Sequence, residues 1–149
     1  MNASTGATIH AGPVSVRFLV EAEESGGSVS VFECGVPPDV RTPAPHSHDG
    51  FEETIYGLEG VSTWTVDGTA HEVGPGEAVC IRRGSVHGFA NHGVTEARFL
   101  AVATPGLFGP EYFIEIGEVV AAAQGGPPDL AAIGEVMRRH GLTPAPAAS

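Results

Sequence analysis

The sequence predicts an all-β domain, a sandwich or barrel of short strands, with two short α-helices at its C-terminal end. Three observations carry this. The chain has 149 residues, the size of one domain with a core of its own. Its 21 Gly and 12 Pro fall between many short apolar runs, as strands separated by turns do. Beyond Pro105 the apolar spacing changes to the three-to-four-residue repeat of helices.

Each element has its own signal. Residues 1–8 are small and polar and are expected to be disordered, ahead of a domain spanning 9–142. Strands are expected at Val14–Val20, Val29–Val36, Phe51–Leu58, Val61–Val66, Thr69–Val73, Glu77–Ile81, Val86–Asn91 and Ala97–Thr104. Asp67-Gly68 is a tight hairpin, because a type I′ turn needs positive φ and Asp-Gly tolerates it. Trp64, Phe89 and Phe99 are expected to fill the interior with the aliphatic residues around them. Pro110 is well placed to open the first helix, and Ile116, Val119, Val120 and Ala123 recur at helical spacing until Gly125-Gly126 stops it. In the second helix Asp129 is the cap, and Leu130, Ile133, Val136 and Met137 form one stripe. Arg138 and Arg139 favour its C-terminal end and Gly141 terminates it. Both helices are expected to pack outside the sheets or on a partner subunit rather than to close over a barrel mouth. The Pro/Ala-rich residues 143–149 are expected to be a disordered tail.

Charge and composition exclude several classes of function. A net charge of −11 with only seven Lys and Arg offers no basic patch for nucleic acid. No apolar segment approaches the ~20 residues of a membrane span, and the first residues lack the basic-then-apolar pattern of a secretory signal. A soluble, cytoplasmic protein is expected. Cys34 and Cys80 both fall in strand runs, where buried free thiols are the expectation in a reducing compartment. His10, His71, His92 and His140 read as surface residues.

The chemistry concentrates in two short segments. His46 and His48 flank Ser47, so in an extended strand both imidazoles point to one face. Glu53 shares a face with Ile55 on the next apolar run, which puts a carboxylate on a greasy wall. Such burial costs several kcal/mol unless a metal or hydrogen bonds compensate it. His87 lies on a further run, in phase with Phe89 and Asn91. Three imidazoles and a carboxylate suit one divalent transition metal, Fe, Mn, Ni, Co, Cu or Zn, and do not choose among them.

These segments resemble a known family. Pro45 to Glu53, continuing through Gly60, is similar to the first cupin motif, and Gly76 to Asn91 to the second. Arg82 departs from the pattern, standing where the family usually has proline. The resemblance to single-domain cupins of the quercetinase-like kind implies a small antiparallel β-barrel, a double-stranded β-helix or jelly roll, with the metal inside. It also implies a homodimer.

The expected function is a metal-dependent enzyme acting on a small molecule. Four protein donors leave two of six positions open, which separates a catalytic site from a structural one. The leading expectation is an oxygen-dependent dioxygenase acting on an aromatic or enolisable, flavonol- or diketone-like substrate. Glu53 would serve as both ligand and proton acceptor, as the resemblance to flavonol-cleaving cupins implies. The alternatives are a non-redox cyclase, isomerase or decarboxylase using the metal as a Lewis acid, and a non-enzymatic metabolite-binding barrel. Ile55, Trp64, Phe89 and Phe99 are candidate pocket walls, and Asn91 is a candidate for steadying a turn or a ligand from outside the coordination sphere.

Overall fold

The computed structural model describes residues 6–42 and 44–146. The expectation of disorder for residues 1–5 and 147–149 lies outside these. Among the described residues, eleven strands form two antiparallel sheets. In order they are β1 (Thr8–Ala11), β2 (Val14–Val20), β3 (Ser30–Val36), β4 (His46–His48), β5 (Glu52–Glu59), β6 (Ser62–Val66), β7 (Thr69–Val73), β8 (Ala78–Ile81), β9 (His87–Ala90), β10 (Ala97–Thr104) and β11 (Leu142–Pro144). One sheet runs β1-β2-β3-β10-β5-β8 and the other β11-β4-β9-β6-β7.

Period-two alternation decides which side chains enter the core between the sheets. Val14, Val16 and Phe18 of β2, Phe32, Cys34 and Val36 of β3, and Phe99, Ala101 and Ala103 of β10 are buried. The register sets Glu53 beside Ala103 on one side and Ile81 on the other. A small neighbour thereby leaves space around the carboxyl. The hairpin between β6 and β7 turns at Asp67 and Gly68 with φ of 47° and 84°, the positive pair that a type I′ turn requires.

Two helices follow, α1 (Pro110–Ala122) and α2 (Leu130–Arg139). Pro110 occupies the first helical position of α1. Asp129 caps α2, its Oδ1 accepting from the Ala131 and Ala132 amides at 3.0 and 3.2 Å. Ile133, Val136 and Met137 are buried, whereas Leu130, expected in the same stripe, is 61% exposed on the first turn. α1 lies against β1 at close range: a Cβ on Gly117 would stand 2.5 Å from the His10 carbonyl oxygen. Glu115 ties α1 to the end of α2 through Arg139 at 2.7 Å and through His140 Nε2.

Several expectations are corrected. α1 is not confined to the outside, because Tyr112, Phe113 and Ile116 form part of the wall of the internal cavity. The tail is ordered at Thr143 and Pro144, which pair with Ser47 and His46 as β11. Thr8, placed in the disordered leader, starts β1. Cys80 is exposed rather than buried, since β8 is an edge strand and Cys80 pairs with Thr54 on the outward phase of β5. His140 is half-buried against Glu115 and Tyr112, whereas His10, His71 and His92 are exposed. Among the described residues, no helix is long and apolar enough to cross a membrane.

Candidate metal centre

β4 and β9 meet at one pair, His46 opposite His87. That pairing brings the histidines of both motifs to one place. Neighbouring contacts fix β4 on every side: Leu142 of β11 pairs with His48, the Gly84 amide donates to the His48 carbonyl at 3.0 Å, and the Asp49 amide donates to the Gly141 carbonyl at 3.0 Å. The ligand atoms of His46, His48 and His87 all lie within 4.8 Å of one another, and all three residues are buried.

The hydrogen bonds select the tautomers. His46 Nδ1 stands 3.1 Å from the Ala44 carbonyl and His87 Nδ1 stands 2.9 Å from the Ser85 carbonyl. A carbonyl accepts only from N–H, so each ring carries its proton on Nδ1 and leaves the Nε2 lone pair free. Neither nitrogen of His48 has a protein partner, although both are buried. A buried polar atom without a partner is costly, and a metal ion satisfies one such nitrogen directly. Burial, reinforced by the neighbouring imidazoles, pulls the pKa of His46 down to about 3 and that of His48 to about 2, and burial also lowers that of His87. Three neutral imidazoles with converging lone pairs fit a divalent metal held by nitrogen, with no proton competing near pH 7.

Glu53 comes from the opposite sheet. It is 4% exposed, lines the same cavity as His46 and His87, and lies outside the close group of three histidines. Burial pushes its carboxyl up to about 8. Its neighbour Glu52 shows the contrast. Pointing outward, Glu52 accepts from Arg83 Nε at 2.7 Å and Nη2 at 3.0 Å, and this pairing holds its carboxyl below the usual carboxylate range. One residue of strand phase separates a surface ion pair from a buried acid.

The cavity encloses about 70 Å³ and is almost wholly apolar. Trp64, Phe89 and Phe99 line it, together with Phe32, Phe108 and Phe113. Of the other residues singled out in the sequence, Ile55 is fully buried beneath the wall and does not reach the cavity. Asn91 also lies away from it: its Nδ2 donates to the Val36 and Thr95 carbonyls at 2.8 Å, and its Oδ1 accepts from the Gly93 amide at 2.8 Å. Cys34 and Tyr112 are among the cavity residues that escaped the sequence reading. Alternation of Phe32, Cys34 and Val36 was a signal for the first, and the four-residue spacing of Tyr112 and Ile116 for the second.

These shifts give the metal-free protein a defined pH response. The histidine pKa values lie below the unfolded value of ~6.5, so the neutral rings contribute stability fully above that pH and lose it as pH falls below it. Each ring contributes a slope of up to about 1.4 kcal/mol per pH unit. Glu53 has the opposite sign. Its folded value is raised, so its contribution is full below the unfolded value of ~4.3 and declines as pH rises through about 8. Thermal melts of the metal-stripped protein should therefore lose stability between pH 6.5 and 5. They should lose it again as pH rises from neutral toward about 8 and level off beyond it, the second loss disappearing in Glu53→Gln.

Comparison with known proteins agrees with this architecture. The cupin domain family model matches residues 32–103, which contain all three histidines and Glu53. No curated protein sequence matches the chain significantly. Among solved structures, a predicted oxalate decarboxylase from Thermotoga maritima is similar with a TM-score of 0.61 and 24% identity, covering 68% of this chain and 92% of that one. The polyketide cyclase RemF from Streptomyces resistomycificus is 29% identical with a TM-score of 0.56, covering 76% and 86%. The cupin domain of an XRE family transcriptional regulator from Enterobacter cloacae, at 18% identity and a TM-score of 0.55, covers 62% and 97%. The cupin domain model thus matches residues 32–103, and the chain shares the fold of these solved structures.

Proposed function

We propose that the protein is a metal-dependent enzyme acting on an aromatic, enolisable small molecule. His46, His48 and His87 hold one divalent metal, with Glu53 as a further ligand and as the group that takes the substrate's proton. The observation that carries this reading is a buried carboxyl that lines one aromatic cavity together with His46 and His87 of the histidine group. A bound divalent metal would polarise a substrate oxygen and, if redox-active, would open chemistry with dioxygen. The chain supplies the rest. Trp64, Phe89, Phe99 and Phe108 exclude water and bind a ring by its faces and edges. Glu53, with a carboxyl pushed up to about 8, is basic enough when ionised to accept an enol or phenol proton.

The helix α1 with the segment before it supplies Phe108, Tyr112, Phe113 and Ile116 to the cavity wall, so these residues bear on which substrates enter.

Oxygen-dependent cleavage of a flavonol- or diketone-like compound is the leading form of the reading. A non-redox cyclisation is favoured by one observation, the 29% identity to a polyketide cyclase. Oxygen uptake and product analysis on phenolic and diketone substrates, with the protein loaded in turn with Fe(II), Ni(II) and Zn(II), test both. Uptake with the redox-active metals supports the dioxygenase, and turnover without uptake supports the cyclase. Ligand binding with no turnover under any metal contradicts the enzyme reading and leaves a metabolite-binding barrel. A homodimer and a cytoplasmic location belong to the same proposal.

A further inference from the structure

We propose that Tyr112, carried on α1 outside the cupin domain, contacts the substrate: its phenol donates a hydrogen bond to an oxygen of the bound molecule, so that the cavity selects an aromatic ring bearing two neighbouring oxygen functions. This rests on the reading of the cavity as a site for aromatic molecules and adds the residue that recognises the second oxygen.

Tyr112 is 6% exposed and lines the same cavity as His46, His87 and Glu53. Its ring is confined. Phe108 and Phe113 each stand 5.1 Å away between centroids, and His140 stands edge-on at 5.7 Å. Glu115, three residues further along the same helix, is anchored by Arg139 and His140, which fixes the turn that carries Tyr112. The hydroxyl has no hydrogen-bond partner among the described residues. The charge of Glu53 reaches it nonetheless, adding to burial in raising the phenol pKa.

An O–H donor left unpaired inside an apolar cavity is a cost that a bound acceptor removes. The other polar groups of the cavity sit elsewhere: His46 and His87 on the five-stranded sheet, Glu53 and Cys34 on the six-stranded one, and the Thr42 hydroxyl, which accepts from the Phe89 amide at 2.7 Å. Tyr112 enters from neither sheet. The aromatic wall takes the ring, the histidine side takes one oxygen, and the phenol of Tyr112 is free to donate to a second. The group acts as a donor without being ionised, so it stabilises negative charge on that oxygen once the substrate loses its proton.

Tyr112→Phe removes one unpartnered hydroxyl and keeps the ring, and its zinc content should equal that of the wild type. Trp64 is the single tryptophan of the chain and lines this cavity, so its fluorescence reports binding independently of turnover. The probes are 2′-hydroxyacetophenone, with two neighbouring oxygens, and acetophenone, with one, titrated into the zinc-loaded protein at pH 7. The wild type should prefer the hydroxylated probe, and Tyr112→Phe should weaken that probe about 5- to 100-fold while leaving acetophenone within twofold. Equal weakening of both probes, or a preference retained by the variant, overturns the assignment and leaves the aromatic reading standing. Failure of both probes to bind the wild type overturns the aromatic reading and the assignment together.

Discussion

Replacement of His48 by leucine is expected to make the metal-free protein more stable while abolishing its metal binding. Both ring nitrogens of His48 are buried without a protein partner, and the residue is fully excluded from solvent. The ring stacks on Phe51 with 4.3 Å between centroids and stands 5.4 Å from Phe108, so an apolar side chain would pack against these two rings, with His87 at 4.5 Å and His46 at 5.2 Å on its other side. An unsatisfied buried polar group costs about 1–3 kcal/mol, and an apolar side chain of similar volume removes that cost. The melting temperature of the stripped variant should rise by roughly 2–4 °C for each kcal/mol recovered. The sign reverses in the presence of metal. Wild type should gain stability on loading, by RT ln(1 + [L]/Kd), and the variant should not. A histidine kept for packing alone would give the opposite pattern, with the variant less stable under both conditions.

The second large effect is expected at Glu53. Glu53→Gln preserves size and leaves an oxygen facing the cavity but cannot take a proton. Turnover should fall about 10²- to 10⁴-fold, the range over which a positioned general base acts. Metal content at saturating metal should be retained, because the three histidines remain as a close group. Steady-state rates beside elemental analysis check both halves. Unchanged turnover would remove the proton-transfer role, and loss of metal with loss of turnover would reduce Glu53 to a ligand.

The reading of the sequence and the architecture part company in an instructive way. Strand alternation is local, so the placement of His46, His48, Glu53 and His87 on inward faces follows from spacing alone, and the structure buries all four. The Asp67-Gly68 hairpin and the Asp129 cap are equally local. Leu142–Pro144 was not legible as a strand, because three residues carry no periodicity and its partner, β4, is almost a hundred residues earlier in the chain. The helix α1 showed the same difficulty. Its stripe of Ile116, Val119 and Val120 gave the helix but not what it packs on, and the seat depends on Gly117 meeting β1 at backbone distance. Cavity membership was least legible of all. Ile55 shares the face of Glu53 and sits two residues away, yet it packs beneath the wall while Tyr112, from the far end of the chain, reaches the cavity.

The account depends most directly on the three histidines holding one ion, and elemental analysis of the reconstituted wild type beside His46→Ala, His48→Leu and His87→Ala addresses that claim. The prediction is about one equivalent of a divalent transition metal in the wild type and a small fraction of it in each variant. Wild-type protein that takes up no metal, or variants that keep a full equivalent, would contradict it.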